Sequence, residues 1–189
     1  MAKNTWTPSV ALSKDILLGH GKIFKDLDEL TETELGPTMG GCKYKAGRTL
    51  KLIEYDGAYG PKKGMQKVEV WKPQLILNML KIDYLNSFYG IPHTVSDGTD
   101  VNGNTYKKVI LRLNWLSTDI LTNLAFVGEK HDGSPITIYL YRAMDITPTI
   151  SYEFGEKGEI KTERTFEGAY ASTTPVTPPF QINQTNPPT

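Results

Sequence analysis

From Leu116 to Met144 the chain reads LSTDILTNLAFVGEKHDGSPITIYLYRAM. Ile136, Ile138 and Leu140 alternate with Thr137, Tyr139 and Tyr141, the two-residue period of a strand with one buried face. The connection His131-Asp132-Gly133-Ser134 has Asp-Gly at its centre, a strong hairpin signal. Upstream, Ser117-Thr118-Asp119 precedes Ile120 and Leu121 and reads as the cap of a helical turn. The stretch therefore predicts a turn, a strand, a tight connection and a second strand. The same alternation predicts strands at 50–55, with Leu50 and Leu52 on one face, and at 65–71, with Val68 and Val70 inward. Between them, 56–64 holds three glycines, a proline and two lysines, the composition of an exposed hairpin tip. Further strands are expected at 22–27 and 106–113, with a last hairpin formed by 146–154 and 159–170.

Other segments break the pattern. Gly36-Pro37 and Gly40-Gly41 punctuate a loop, and 93–105, rich in Gly, Asp and Asn, reads as a long surface loop. Leu75 to Phe88 is ambiguous, since its apolar spacing alone permits one helix from 74 to 89. Residues 1–15 are polar apart from a few apolar positions such as Trp6 and read as an N-terminal arm, leaving 16–171 as the folded domain. Residues 172–189 contain five prolines and five threonines, so this tail is expected to be extended and mobile unless docked. Phe180 and Ile182 interrupt it two residues apart and would face one way in an extended strand. They are the residues expected to dock the tail, on a neighbouring subunit.

Composition narrows the function classes. The 189 residues carry no net charge at pH 7, unlike a free-standing nucleic-acid binder with its basic excess. The single cysteine, Cys42, excludes an intrachain disulfide and a cysteine-based zinc site. The first fourteen residues show no signal-peptide pattern, and no apolar run approaches the ~18 residues of a membrane span. Gly36 and Gly41 have phosphate-loop spacing, but Cys42-Lys43-Tyr44 follows where Lys-Ser/Thr is required. His20, His93 and His131 lie far apart with no metal-ligand spacing, and no Gly-x-Ser-x-Gly elbow occurs. A cysteine beside Lys43 could be an activated thiol; at a strand start it is more often a small packed residue. The expectation is a protein without catalysis, metal or cofactor.

Several of these segments together resemble a known family. Gly40-Gly41 ahead of a strand, Asp56-Gly57-Ala58 with Gly60 and Gly64, Leu75 to Leu80, and Asp119 to Gly128 match motifs of the major tail tube proteins of long-tailed, non-contractile bacteriophages. The resemblance spans roughly 36–170, and its motifs are structural. It implies a mainly β fold, a β-sandwich or rolled sheet with one short flanking helix. The ambiguous segment then continues as a strand to about Ile82, with a helix from Asp83 and Gly90 just past its end. It implies six copies closing into a ring through an inter-subunit β-barrel, rings stacking into a hollow tube in the virion tail, and assembly in the bacterial cytoplasm. The partners would be the chain itself, the tape-measure protein and tail-end proteins. DNA would pass through the lumen without specific binding, and no membrane would be bound. On strand alternation, Lys51, Glu69, Glu163 and Glu167 are candidates for the channel wall, where carboxylates would keep phosphate from sticking. Asp56, Gly57, Lys62 and Lys63 at the hairpin tip are candidates for contact between rings. Two other classes stay open: a bacterial secretion-type tube of related fold, and a virion β-sandwich module for decoration or receptor binding.

Overall fold

The computed structural model describes residues 17–52, 66–79, 88–130, 133–149, 162–173 and 176–184, with only the backbone at 17–20, 37, 39–41 and 52. Its strands are β1 (Leu17–Lys25), β2 (Thr33–Leu52), β3 (Gln66–Met79), β4 (His93–Thr99), β5 (Thr105–Leu111), β6 (Leu121–Lys130), β7 (Pro135–Asp145), β8 (Thr162–Gly168) and β9 (Phe180–Gln184). One turn of 3₁₀ helix, Ser117–Asp119, precedes β6. The protein is mainly β, as the alternation predicts.

Seven strands form one antiparallel sheet in the order β6-β1-β2-β3-β8-β7-β9, and β6 also pairs with β7. The ladder that leaves β6 through β1 thus comes back to it through β7, so the sheet rolls around its apolar face. That face holds Ile23, Leu35, Leu75, Leu77, Met79, Leu121, Leu124, Phe126, Leu140, Ala143 and Phe166. The expected β6–β7 hairpin is present. Glu129 pairs with Pro135, Gly133 takes φ +83°, and Lys130 N–H donates to the Ser134 carbonyl at 2.9 Å. Ile136 and Leu140 are buried and Ile138 packs against the core.

Five readings need correction. The glycines at 36–41 do not end a strand, because β2 runs through them. The pairings Thr38–Met79 and Cys42–Leu77 leave unequal numbers of residues between them, so the ladder is irregular there, a common place for glycine within a sheet. The stretch 93–105 is not a loop: β4 and β5 pair in register from His93–Leu111 to Thr99–Thr105. Its turn residues mark only the hairpin end, where Asp100 accepts N–H groups from Asn102 and Asn104, each at 2.8 Å. Residues 146–149 continue β7 as irregular chain instead of starting a strand. Val68 and Val70 do not share a face. Thr49 pairs with Val70 and Leu50 with Val68, which leaves Glu69 as the extra residue of a bulge and inverts the alternation across it.

The fifth correction concerns the tail, which contains a strand. β9 pairs with β7 from Ile136–Gln184 to Leu140–Phe180 in the same chain. On 74–79 the extended reading holds over the helical one, with Leu75, Leu77 and Met79 buried in alternation. The helix expected from Asp83 lies outside the described residues. Gly90 takes φ +73°, and a Cβ there would lie 3.0 Å from the Asp145 nitrogen, so this turn suits glycine alone.

Candidate assembly surfaces

The longest strand is covered over only part of its length. β2 has 20 residues, but only Thr33 to Pro37 pair with β1. β3 pairs with β8 only from Gln74 onward. Between 43 and 52, and between 66 and 73, β2 and β3 therefore form a two-stranded arm with a free edge on each side among the described residues. Pro73 stands at its root, one residue before pairing with β8 begins, where a missing N–H is best tolerated. Arm residues 45–51 are exposed on both faces. A two-stranded ribbon is marginal in water by itself, so this arm depends on its root and on whatever covers it.

The root is clamped by the C-terminal segment. The Phe180 ring packs edge-on to Trp71 at 5.4 Å and tilted against Tyr44 at 5.9 Å. The Trp71 N–H donates to the Tyr170 hydroxyl at 2.7 Å. Phe180, expected to dock on a neighbour, thus docks within its own chain, while Ile182 stays exposed on β9. Burial pushes the hydroxyl of Tyr44 and the thiol of Cys42 up to about 12 each. Cys42 is accordingly a packed residue, not an activated thiol.

Cross-strand partners share a face, so register sorts the arm's charges. Lys51 sits opposite Lys67, and Lys72 opposite Gly47. Lys43 and Lys45 lie on the same side of β2 as Lys51, opposite Ile76 and Gln74. Five lysines therefore occupy one face of the β2–β3 ladder, and none has an ion-pair partner among the described residues. Arg48, from the other face, lies over Trp71 at 5.9 Å. The single acid on the described arm is Glu69, in the bulge.

At the opposite end of β2 the charge reverses. The turn from β1 to β2 carries Asp26, Asp28, Glu29 and Glu32, with Glu34 just inside β2. This turn is pinned to β6. Buried Asp26 accepts the Thr122 N–H at 3.1 Å, and the Asn123 side chain brackets Leu27, accepting its N–H at 3.0 Å and donating to its carbonyl at 3.1 Å. The Tyr139 hydroxyl donates to Asp28 Oδ2 at 2.5 Å, and the Asp28 N–H to Glu32 Oε2 at 3.0 Å. Asp26 and Asp28 both take positive φ, 53° and 66°, and the bonds above hold that conformation. Burial first, then the Asp28 carboxylate, pushes the Tyr139 hydroxyl up to about 12. Leu30 stands fully exposed at the tip. Sequence reasoning placed Asn123 in a structural motif but missed its partner, because 96 residues separate it from Leu27.

The remaining expected site residues divide between two places. Glu163 and Glu167 lie on β8, opposite Asn78 and Gln74, on the face turned away from the core. Gln74 Nε2 donates to Glu167 Oε2 at 2.9 Å. Lys51 and Glu69 stand on the arm. The tip residues Asp56, Gly57, Lys62 and Lys63 fall outside the described residues. A separate exposed element is the β4–β5 hairpin, tied at its root by Arg112, which donates to the His93 carbonyl at 2.9 Å and to Asp119 Oδ1 at 2.6 Å. Among the described residues no three or more of His, Cys, Asp and Glu gather where they could hold a metal ion. No described helix is long and apolar enough to cross a membrane.

No protein-family model and no curated protein matches the chain. Among solved structures it is similar to the tube-terminating cap of the anti-feeding prophage, determined by cryo-EM. The TM-score is 0.50 at 11% identity, covering 98% of this chain and 100% of that one. The chain thus shares a β-rich fold with that tube cap. The likeness spans nearly the whole of both chains.

Proposed function

We propose that this protein is a structural subunit of a phage-type tail tube, which closes into hexameric rings that stack around a channel for DNA. One observation supports this above the others: beyond its clamped root the β2–β3 arm leaves the body with both strand edges unpaired, and its residues 45–51 are exposed on both faces. Free edges of that length invite pairing with another chain, and ring closure satisfies edges by joining them to a neighbour's sheet. A contact that closes by rotation gives a ring, and a second that does not close stacks rings into a tube. The fold shared with a tube cap fits this reading.

In this proposal Glu163 and Glu167 face the channel, where carboxylates repel phosphate; Lys51, expected on that wall with them and on the same face of the sheet, stands out on the arm, where it and Glu69, also expected on the wall, meet another copy. Lys62 and Lys63, at the tip joining β2 to β3, would reach an adjacent ring. The assembled tube would enclose the tape-measure protein before DNA, meet end proteins at its two termini and reside in the virion. Negative-stain imaging of concentrated protein tests the reading. Tubes with a central hole support it; a monomer at every concentration rejects it.

A second reading rests on the cap likeness itself: the chain ends a tube instead of building it. A chain that only ends a tube would not stack on itself, so in the same images tubes favour the first reading and single rings the second.

A further inference from the structure

The molecule has no net charge, but its charges are segregated along one strand. Five lysines on one face of the β2–β3 ladder lack ion-pair partners among the described residues; Lys45, at the root, shares a row with Gln74 and Glu167, whereas beside Lys51, Lys67 and Lys72 the only described acid of the arm is Glu69. Asp28, Glu29 and Glu32 crowd the exposed turn at the other end of β2. At about 3.3 Å per residue an extended strand of this length separates the two groups by up to roughly 60 Å. They are too far apart to neutralise each other within one copy. We propose that the lysine face of one copy docks on the acidic turn of the next, so that β2 acts as a head-to-tail connector. This rests on the self-assembly reading above and names the surfaces that carry it.

Three features favour a second copy as the occupant. The two surfaces are complementary in sign and lie at opposite ends of one element, which makes the contact heterologous: it repeats instead of closing on itself. The turn is held in shape before contact by Asp26, Asn123 and Tyr139, so little ordering remains to be done on docking. Fully exposed Leu30 stands at the centre of the acidic turn and supplies an apolar anchor inside a charged rim, the arrangement typical of protein interfaces. A nucleic acid would also fit five lysines, but it would leave the acidic turn and Leu30 unexplained.

The test uses two charge-reversed variants of the full chain, Lys51→Glu/Lys67→Glu/Lys72→Glu on the arm and Glu29→Lys/Glu32→Lys on the turn. The critical concentration for assembly is measured by light scattering and imaging, with circular dichroism to confirm folding. Each variant alone is expected to raise that concentration by about tenfold or more, since like charges are brought together. A chain carrying both sets should recover to within about threefold of wild type. Unchanged assembly in both single variants, or no recovery in the combined chain, overturns the proposal while leaving self-assembly standing. A wild type that never assembles overturns both. If a variant fails to fold, the wild type decides: its assembly should weaken steadily between low and high salt, and indifference to salt overturns the docking. Binding of a 30-base-pair duplex that is lost only in the arm variant, with assembly unchanged, would reassign the lysine face to nucleic acid.

Discussion

Replacing Asp145 with alanine should destabilise the monomer more than any surface change. Asp145 ends β7 where that strand meets β8, and Arg164 projects from β8 to the core face, with exposures of 7% and 1%. Arg164 Nε donates to Asp145 Oδ2 at 2.5 Å, and Oδ1 of the same carboxylate accepts the Thr147 N–H at 2.7 Å. Asp145→Ala removes the carboxylate that faces a buried guanidinium, a loss of about 3–5 kcal/mol for a broken buried pair. The orphaned Thr147 N–H adds about 1 kcal/mol, so the total should fall near 4–6 kcal/mol. With a urea dependence of about 2 kcal/mol per molar, the unfolding midpoint should drop by about 2–3 M. Urea titration at a protein concentration too low for assembly keeps the monomer as the reference state. Asp145→Leu with Arg164→Met should recover most of the loss, because an apolar pair of similar volume replaces the ion pair without leaving a charge behind. A midpoint shift under about 0.5 M for Asp145→Ala, or a double variant no more stable than the single, would refute the reasoning.

Three further outcomes follow from the same structure. A Cβ at Gly168 would lie 2.8 Å from the Pro179 carbonyl and 2.9 Å from Leu140, so Gly168→Ala should displace β9, cost about 1–3 kcal/mol and expose Trp71, read as a red-shifted tryptophan emission. Tyr44→Phe should leave stability within about 0.5 kcal/mol or raise it, since the buried Tyr44 hydroxyl has no partner among the described residues; a clear loss in thermal unfolding would reveal one. The Asp100 carboxyl is held below its ordinary value by hydrogen bonds, first from the Asn104 side chain and then from the Asn104 backbone. A lowered folded pKa means that its contribution to the β4–β5 turn is complete above the ordinary carboxylate value and is lost as pH falls through the folded one. Exchange of the Asn102 and Asn104 N–H groups should therefore accelerate at that lower pH, and Asp100→Ala should remove the step.

The parts of the fold that were legible in the sequence are those governed by neighbours. The β6–β7 hairpin follows from Asp132-Gly133 and from alternation on either side, both local signals. The outward placement of Glu163 and Glu167 follows from strict alternation along β8, where no bulge intervenes. Errors arose where one residue changes the register. Glu69 separates the faces of Val68 and Val70, and the glycines between Gly36 and Gly41 loosen β2 without ending it. At the hairpin 93–111 the strand expected at 106–113 is β5, but turn chemistry at Asp100–Asn104 masked β4, whose side chains are exposed on both faces, so that no apolar alternation announced it. The acidic turn was visible as composition, but its fixed shape depends on Asn123 and Tyr139, 96 and 111 residues away. The pairing of β9 with β7 was hidden in the same way by the prolines around it.

A cryo-EM reconstruction of the assembled protein tests the central claim most directly. The account expects rings in which the free edge of β2 between 38 and 52 continues into the sheet of a neighbouring copy, with Glu163 and Glu167 towards the channel. An assembly in which the β2–β3 arm remains unpaired in solvent, or in which the core residues Leu75 and Leu77 face the channel, would contradict it.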